Sequence, residues 1–133
     1  MASEDAMKKL LLILFCLFPA IANAEPTLGD DGLHKQPWFS QSFLELADDL
    51  DEAAENDRLL MVVVEQAGCP YCREMHRVNF ERAEIVDEIT KSYLAVQLDL
   101  WGSREVVDFD GSSMEERDWI QKNAIHFTPT TLF

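Results

Sequence analysis

Residues 59–72 read LLMVVVEQAGCPYC, an apolar run that leads through a turn into two cysteines, Cys69 and Cys72. The run shows no alternation of apolar and polar side chains. This favours a strand buried on both faces, as in a parallel or mixed sheet with helices on each side. Gly68 is typical of a turn, and Pro70 suits the first position of a helix, because its missing N–H has no intrahelical partner there. The stretch therefore predicts a strand, a turn and a helix that begins at the cysteine pair.

The position of the two cysteines predicts thiol–disulfide exchange. Unpaired backbone N–H groups and the helix dipole favour a thiolate at a helix N-terminus, and the thiolate is the species that attacks disulfides. We therefore expect Cys69 to be the nucleophile and Cys72, one turn further inside, to be the resolving thiol. Pro70 should hold the turn rigid, and Tyr71 should lie exposed at the rim and shape the partner surface. The Cys69–Cys72 disulfide is then itself the redox centre, and we expect no other cofactor and no metal.

Two other uses of a Cys-x-x-Cys pair fit less well. A structural disulfide across so short a loop restricts the unfolded chain little and contributes about 2 kcal/mol in the chain-entropy estimate. Half of a zinc site lacks a second cysteine pair or a close histidine pair in this sequence. The remaining cysteine, Cys16, lies in a segment that we expect to be removed, which leaves Cys69 and Cys72 to react with each other. Because the structural and zinc uses fit less well, the redox interpretation is favoured.

The N-terminus has the three parts of a secretory signal peptide. Residues 7–9 are Met-Lys-Lys, residues 10–18 are apolar, and residues 22–24 form the Ala-Asn-Ala pattern that signal peptidase cuts. The apolar run is too short to span a bilayer, which needs about 20 apolar residues. We therefore predict that residues 1–24 are a signal peptide, with the natural start at Met7. The cleaved protein should be periplasmic and have no membrane anchor.

Cleavage leaves residues 25–37, which we predict to be a linker, and residues 38–133, long enough for one small domain. Residues 1–24 hold equal numbers of acidic and basic side chains, so the net charge remains −14 without them. That charge argues against nucleic acid as a partner, because binding a phosphate backbone needs a basic surface. No feature of the sequence indicates an obligate dimer, so we expect a monomer.

Further segments predict an alternating order of helices and strands, and hence an α/β domain. The helix that starts at Pro70 is expected to bend near Asn79. Before the cysteine pair, we expect a helix from near Phe43 with a solvated acidic face. After it, we expect a strand over residues 93–100 and a loop over residues 101–112. A helix should then begin at a capping box formed by Ser113 and Glu116, followed by a strand over residues 125–133 that Pro129 interrupts.

The histidines indicate little by themselves. His76 follows Cys72 by four residues and can tune a thiol, but we expect its side chain to face solvent. His34 and His126 indicate no role.

Four motifs and one longer segment match a single family. They are Gly68-Cys69-Pro70-Tyr71-Cys72 with Met75-His76, Trp101-Gly102-Ser103-Arg104-Glu105-Val106, Phe109-Asp110-Gly111, Phe127-Thr128-Pro129-Thr130, and residues 38–50. Together they resemble the periplasmic thioredoxins of the Sox sulfur-oxidation system, over nearly all of the chain after the signal peptide. Cys-x-x-Cys and Thr-Pro are marks of the whole thioredoxin superfamily, whereas the Trp-Gly-x-Arg-Glu loop is the more specific mark.

This resemblance implies a thioredoxin-like α/β fold, a mixed sheet with helices on both faces. It also implies a reductase that keeps a client protein cysteine reduced and takes electrons from a membrane thiol transporter. Thr128 and Pro129 resemble the cis-proline element that lies opposite the active pair in such proteins, so we expect these two residues to bind the client. The chain stops in an apolar run at residues 130–133. The last strands and the C-terminal helix of this fold are therefore expected to be missing.

The sequence departs from ordinary thioredoxins at two positions of the expected site. Gly68 stands where they have Trp, and Val63 stands where they bury an Asp, with Glu65 as the nearest substitute for that carboxylate. Two functions besides the reductase stay open. One is a disulfide oxidase or isomerase of exported proteins, and the other is a binding module that carries copper or zinc on the two cysteines and His76.

Overall fold

The computed structural model describes residues 26–133, so the predicted signal peptide lies outside the described residues. Within this range the chain forms seven strands, four α-helices and one π-helical turn. The strands are β1 (Thr27–Leu28), β2 (His34–Lys35), β3 (Leu59–Glu65), β4 (Tyr93–Asp99), β5 (Glu105–Val107), β6 (Ser113–Glu115) and β7 (Thr130–Leu132). The helices are α1 (Leu46–Glu55), α2 (Pro70–Glu74), α3 (Ala83–Ser92) and α4 (Glu116–Lys122), and a π-helical turn, Met75–Asn79, follows α2 directly.

The central sheet has three strands in the order β4-β3-β7. β3 pairs parallel with β4 over its whole length, with Leu59 opposite Tyr93, and it pairs antiparallel with β7. This confirms the mixed sheet and the two strands predicted at the apolar run and at residues 93–100. Because β3 is central and ends at Glu65, the turn that follows it carries the cysteine pair to the end of the sheet where β3 and β4 both finish.

Helices cover both faces of this sheet, as predicted. One apolar cluster packs side chains of β3 and β4 against α1 and α4, and a second packs the opposite face against the π-helical turn and α3. The first includes Leu46, Val62, Val64, Leu98, Trp119 and Ile120, and the second includes Phe39, Met61, Val63, Phe80 and Ala95. Alternate residues of β3 thus enter different cores, which explains why its sequence shows no polar alternation.

The segment predicted as a linker contributes to the folded part of the chain. β1 and β2 pair antiparallel, and Leu33, just before β2, is only 1% exposed. Lys35 Nζ donates a hydrogen bond to Gln97 Oε1 in β4 at 2.9 Å. Local sequence pattern did not predict this hairpin, because each of its strands is two residues long and β2 consists of polar residues.

Helix α1 begins at Leu46 rather than near Phe43. Leu44 has a positive φ of 62°, which interrupts right-handed helix, and Phe43 is 94% exposed. The predicted acidic face is solvated except at Asp49, which is buried and accepts a hydrogen bond from the Ser42 hydroxyl at 2.6 Å. Burial raises the pKa of Asp49 above its ordinary value of 3.8. This carboxylate therefore belongs to the packing of α1 and not to its solvated surface.

Residues 101–112 are more than a loop, and Ser113 does not cap a helix. β5 lies within this segment and pairs antiparallel with β6, which begins at Ser113. The Ser113 hydroxyl donates a hydrogen bond to the Glu105 carboxylate, and α4 begins only at Glu116. The predicted capping box is wrong because pairing with β5 holds residues 113–115 in extended backbone.

The helix that starts at Pro70 changes its hydrogen-bonding pattern before it ends. In the π-helical turn the amide of Phe80 donates to Met75 O at 3.0 Å, across five residues. The turn ends at Asn79 and α3 starts at Ala83, so the chain forms two helices with a break after Asn79 where one bent helix was predicted.

Candidate active site

The two cysteines form a disulfide at the N-terminus of α2. The Sγ atoms are 2.16 Å apart and the Cα atoms 5.3 Å apart. Cys69 is the N-cap residue, and its Sγ accepts a hydrogen bond from Cys72 N at 3.1 Å. Pro70 occupies the first turn as predicted, and Gly68 has a positive φ of 70°, a conformation that favours glycine. Sulfur in this place faces backbone N–H groups that stabilise negative charge.

The two cysteines differ slightly in exposure. Cys72 is completely buried, whereas Cys69 is 6% exposed. The cysteine that keeps some access to solvent is thus the one predicted to attack a client. The roles of Cys69 as nucleophile and Cys72 as resolving thiol stay predictions.

The last strand of the sheet brings a second segment to the cysteines. The Thr128–Pro129 peptide bond is cis, as the resemblance implies. Thr128 Oγ1 lies 3.3 Å from Cys69 Sγ, to which it donates a hydrogen bond. These distant parts of the sequence meet because β7 pairs with β3, and the end of β3 leads to Cys69.

Exposed aromatic side chains lie close to the disulfide. Tyr71, between the cysteines, is 76% exposed, which confirms its predicted place at the rim. Trp101 is 70% exposed. Its Nε1 donates a hydrogen bond at 2.8 Å to Oε1 of Gln66, which lies in the turn before Cys69. Phe127 is 74% exposed and precedes Thr128. Aromatic side chains are enriched in protein-binding surfaces, so this rim is suited to contact a protein client.

A groove of about 270 Å³ runs beside Trp101. Leu100, Ile120 and Ile125 contribute apolar side chains to its lining, and His126, two residues before Thr128, also lines it.

A buried polar cluster lies on the inner side of the cysteine-bearing helix. His76 is completely buried, which contradicts the prediction that it faces solvent. Its Nε2 is 2.8 Å from Glu65 Oε1, and its Nδ1 is 3.1 Å from Gln36 Nε2. The other oxygen of Glu65 accepts a hydrogen bond from Gln97 Nε2. We refer to Gln36, Glu65, His76 and Gln97 as the inner cluster.

The inner cluster was missed because its members are spread over four segments of the chain. One signal was nevertheless present in the sequence. Glu65 directly continues a run predicted to be buried on both faces, and a buried carboxylate needs hydrogen-bond partners. His76, one helical turn after a cysteine expected inside, was the nearest candidate.

The described residues contain no assembled metal site. Among residues 26–133, no group of three or more His, Cys, Asp or Glu side chains is arranged to hold a metal ion. Cys69 and Cys72 are bonded to each other, and both ring nitrogens of His76 contact other side chains. The three ligands of the metal-carrier alternative are therefore not brought together in this structure.

Among residues 26–133, no helix has the length and apolar character needed to cross a bilayer.

Comparison with known proteins agrees with this geometry. The family described as a thioredoxin-like domain matches residues 46–133, a range that includes the central sheet, the cysteine pair and Thr128–Pro129. No curated protein and no solved structure matched the chain. The family match covers more than half of the sequence, and the mixed sheet with helices on both faces is the fold expected of that family. The chain therefore belongs to the thioredoxin-like domain family.

Proposed function

We propose that this protein is a periplasmic thiol–disulfide oxidoreductase that acts as a reductase on a client protein. The observation that carries the proposal is the contact of Thr128 Oγ1 with Cys69 Sγ at the start of α2. One side of the sulfur faces a helix N-terminus, which favours a thiolate. The other side faces Thr128, in a segment that adjoins exposed aromatic side chains and is suited to bind a peptide. A purely structural disulfide needs neither feature.

The reaction transfers two electrons from the cysteine pair to a client disulfide. In the reduced protein, the Cys69 thiolate attacks one client sulfur, the client S–S bond breaks, and the leaving client thiolate takes up a proton. Cys72 then loses its proton and attacks Cys69 Sγ in the mixed disulfide. The Cys69–Cys72 bond forms as the second client thiolate leaves and is protonated. The client gains two electrons and two protons, and the protein ends in the disulfide form.

The client is proposed to bind across the residues that flank Cys69. The backbone of Thr128, beside Pro129, supplies hydrogen-bonding groups for an extended peptide. Tyr71, Trp101 and Phe127 supply exposed apolar surface. With a net charge of −14, the protein attracts clients with basic surfaces and repels acidic ones.

The cellular setting is proposed from the sequence. The predicted signal peptide supports export to the periplasm, an oxidising compartment. A reductase there needs a supply of electrons, and the resemblance to Sox-type thioredoxins supports a membrane thiol transporter as the donor. We propose that the protein works as a monomer, without nucleic acid, and that the Cys69–Cys72 pair is its redox cofactor.

Trapping thiols in living cells tests the proposed direction of electron flow. Cells that express the protein are quenched in acid, their free thiols are alkylated with a mass-adding reagent, and the protein is resolved by size. We expect Cys69 and Cys72 to be mostly reduced, and to become oxidised when the membrane thiol transporter is deleted. The Cys72→Ser variant, which cannot form the internal disulfide, calibrates the labelling. A pair that is fully oxidised in both strains contradicts a reductase and favours the oxidase or isomerase alternative.

A further inference from the structure

A pocket of about 200 Å³ lies outside the cysteine site, where the N-terminal hairpin meets the outer edge of β4. The segment after β2 runs along that edge, and the amide of Ser40 donates a hydrogen bond to the carbonyl of Ala95 in β4 at 2.7 Å. The pocket is lined by Lys35 of β2, by residues between β2 and α1, by Gln97 of β4 and by Arg104 just before β5.

The lining of this pocket is unusual in its charge. The chain has 25 acidic and 11 basic side chains. The pocket is nevertheless lined by Lys35 and Arg104 and, among the described residues, by no aspartate or glutamate. The groove beside Trp101, by comparison, is lined by Arg117 together with Asp118. The pocket is therefore a place on an acidic protein where cationic side chains are gathered.

Hydrogen bonds hold the two cations at the two ends of one residue. Lys35 Nζ donates to the side-chain oxygen of Gln97 at 2.9 Å, and Arg104 Nη2 donates to the backbone oxygen of Gln97, also at 2.9 Å. Each cation also pairs with a carboxylate, Lys35 with Asp31 at 2.6 Å and Arg104 with Glu116. Neither carboxylate lines the pocket, so both cations are held in place from outside it.

The two positive charges act on the same part of the molecule. Burial raises the pKa of Asp31, but the Lys35 ammonium and, to a smaller extent, the Arg104 guanidinium are among the groups that bring it below its ordinary value of 3.8. The charge of Arg104 thus reaches the hairpin that carries Lys35. An anion between the two cations experiences both charges.

Several hydrogen-bond donors at the pocket are not used by the protein. A guanidinium has five N–H groups, and Arg104 uses those on Nε and Nη2 to bond Glu116 and Gln97. Within residues 26–133, no hydrogen bond is formed by Nη1 of Arg104, by the Ser40 hydroxyl or by the Gln41 side-chain amide. Solvent or a ligand must satisfy these donors.

Oxyanions fit this combination of groups. Each of their oxygens accepts hydrogen bonds, and charge-assisted hydrogen bonds from Arg and Lys are about twice as strong as neutral ones. Two cations favour a divalent ion over a monovalent one, and the volume of the pocket suits a compact ion with some of its water. An extended polyanion is disfavoured, because the net charge of −14 repels it.

We propose that this pocket binds a compact divalent oxyanion, such as sulfate or hydrogen phosphate, between Lys35 and Arg104. Arg104 Nη1 and the Lys35 ammonium donate to its oxygens, and the Ser40 hydroxyl and the Gln41 amide supply further donors. The bound ion joins the hairpin to the loop before β5, so binding stabilises the folded protein by mass action. The inference does not rest on the proposed reductase function, since the ion takes no part in thiol exchange.

Titration of the wild-type protein with sodium sulfate, followed by NMR, tests the proposal. The buffer contains no phosphate, and sodium chloride at the same ionic strength serves as the control. We expect the signals of the Gln41 side-chain amide and of Arg104 Nε to move along a saturating curve for a single site. A linear response to sulfate, or an equal response to chloride, overturns the proposal.

Gln41→Glu places a negative charge in the pocket, keeps the size of the side chain and breaks no hydrogen bond among the described residues. Repulsion and the loss of the amide donor should raise the dissociation constant for sulfate at least about tenfold. Gln121→Glu is the matched control, because it makes the same change at an exposed residue that lines the groove beside Trp101. Salt should limit its effect to less than about twofold. Equal effects of the two variants contradict binding in this pocket.

Lys35→Met tests the first cation. Loss of one charge-assisted hydrogen bond should raise the dissociation constant about tenfold. Lys122→Met is its control, since Lys122 likewise pairs with an aspartate, Asp108, at 2.6 Å, but lies outside the pocket. If the two variants bind sulfate equally tightly, the proposal is wrong. If Lys35→Met does not fold, the comparison of Gln41→Glu with Gln121→Glu decides alone.

Discussion

Cys69→Ser is expected to lower the rate of insulin disulfide reduction by at least about a thousandfold, because it removes the sulfur that attacks the client. Cys72→Ser is expected to stop turnover as well, but at a later stage. Without the resolving thiol, the mixed disulfide between Cys69 and the client persists and should be isolated as a covalent complex. The measurement is insulin turbidity with dithiothreitol as reductant, followed by non-reducing electrophoresis of the products.

The asymmetry between the two variants tests the assignment of roles. Addition of dithiothreitol should dissolve the Cys72→Ser complex, which shows that the link is a disulfide. Cys69→Ser should form no such complex with the same client. If Cys69→Ser keeps full activity, or if it is the variant that captures the client, the roles of the two cysteines are reversed or the pair is not catalytic.

Glu116→Ala is expected to lower the free energy of unfolding by about 3 kcal/mol, because it removes a buried acceptor that several N–H groups share. The Glu116 carboxylate is 1% exposed and accepts hydrogen bonds from the Arg104 side chain and from the backbone amides of Asp99 and Arg104. A Cβ on Gly102 would lie 1.9 Å from Glu116 Oε2, so the loop after β4 closes tightly around this carboxylate. Its removal leaves buried N–H groups without an acceptor.

Glu115→Ala is the matched control for this effect. Glu115 is adjacent in sequence and pairs with Arg117, but its side chain is 41% exposed. Exposed ion pairs contribute about 0 to 1 kcal/mol, so chemical denaturation should show a much smaller loss. Equal losses for Glu115→Ala and Glu116→Ala contradict the view that Glu116 organises the loop that carries Trp101.

The parts of the fold that follow from local pattern could be predicted from the sequence. The apolar run ending at Val64, the turn at Gly68 and Pro70 at the start of a helix each depend on a few neighbouring residues, and all appear as expected. The cis peptide bond at Thr128–Pro129 was predicted from the family resemblance, since local pattern predicts only an interruption of the strand.

The errors arose where tertiary contacts outweigh local preference. Ser113 and Glu116 have the spacing of a capping box, but pairing of β6 with β5 extends the backbone, and the Glu116 carboxylate turns to Arg104 instead. His76 has a polar side chain, yet it is buried because Glu65 and Gln36 offer it partners from distant segments. No periodicity in the sequence records which polar side chains will meet across the sheet.

The measurement that tests the central claim most directly is the reduction potential of the Cys69–Cys72 pair, titrated against a dithiol buffer. A reductase must give electrons to client disulfides, so we predict a value close to that of thioredoxin, about −270 mV. A value of about −120 to −180 mV would contradict the account, because such a pair accepts electrons readily and acts as an oxidase or isomerase.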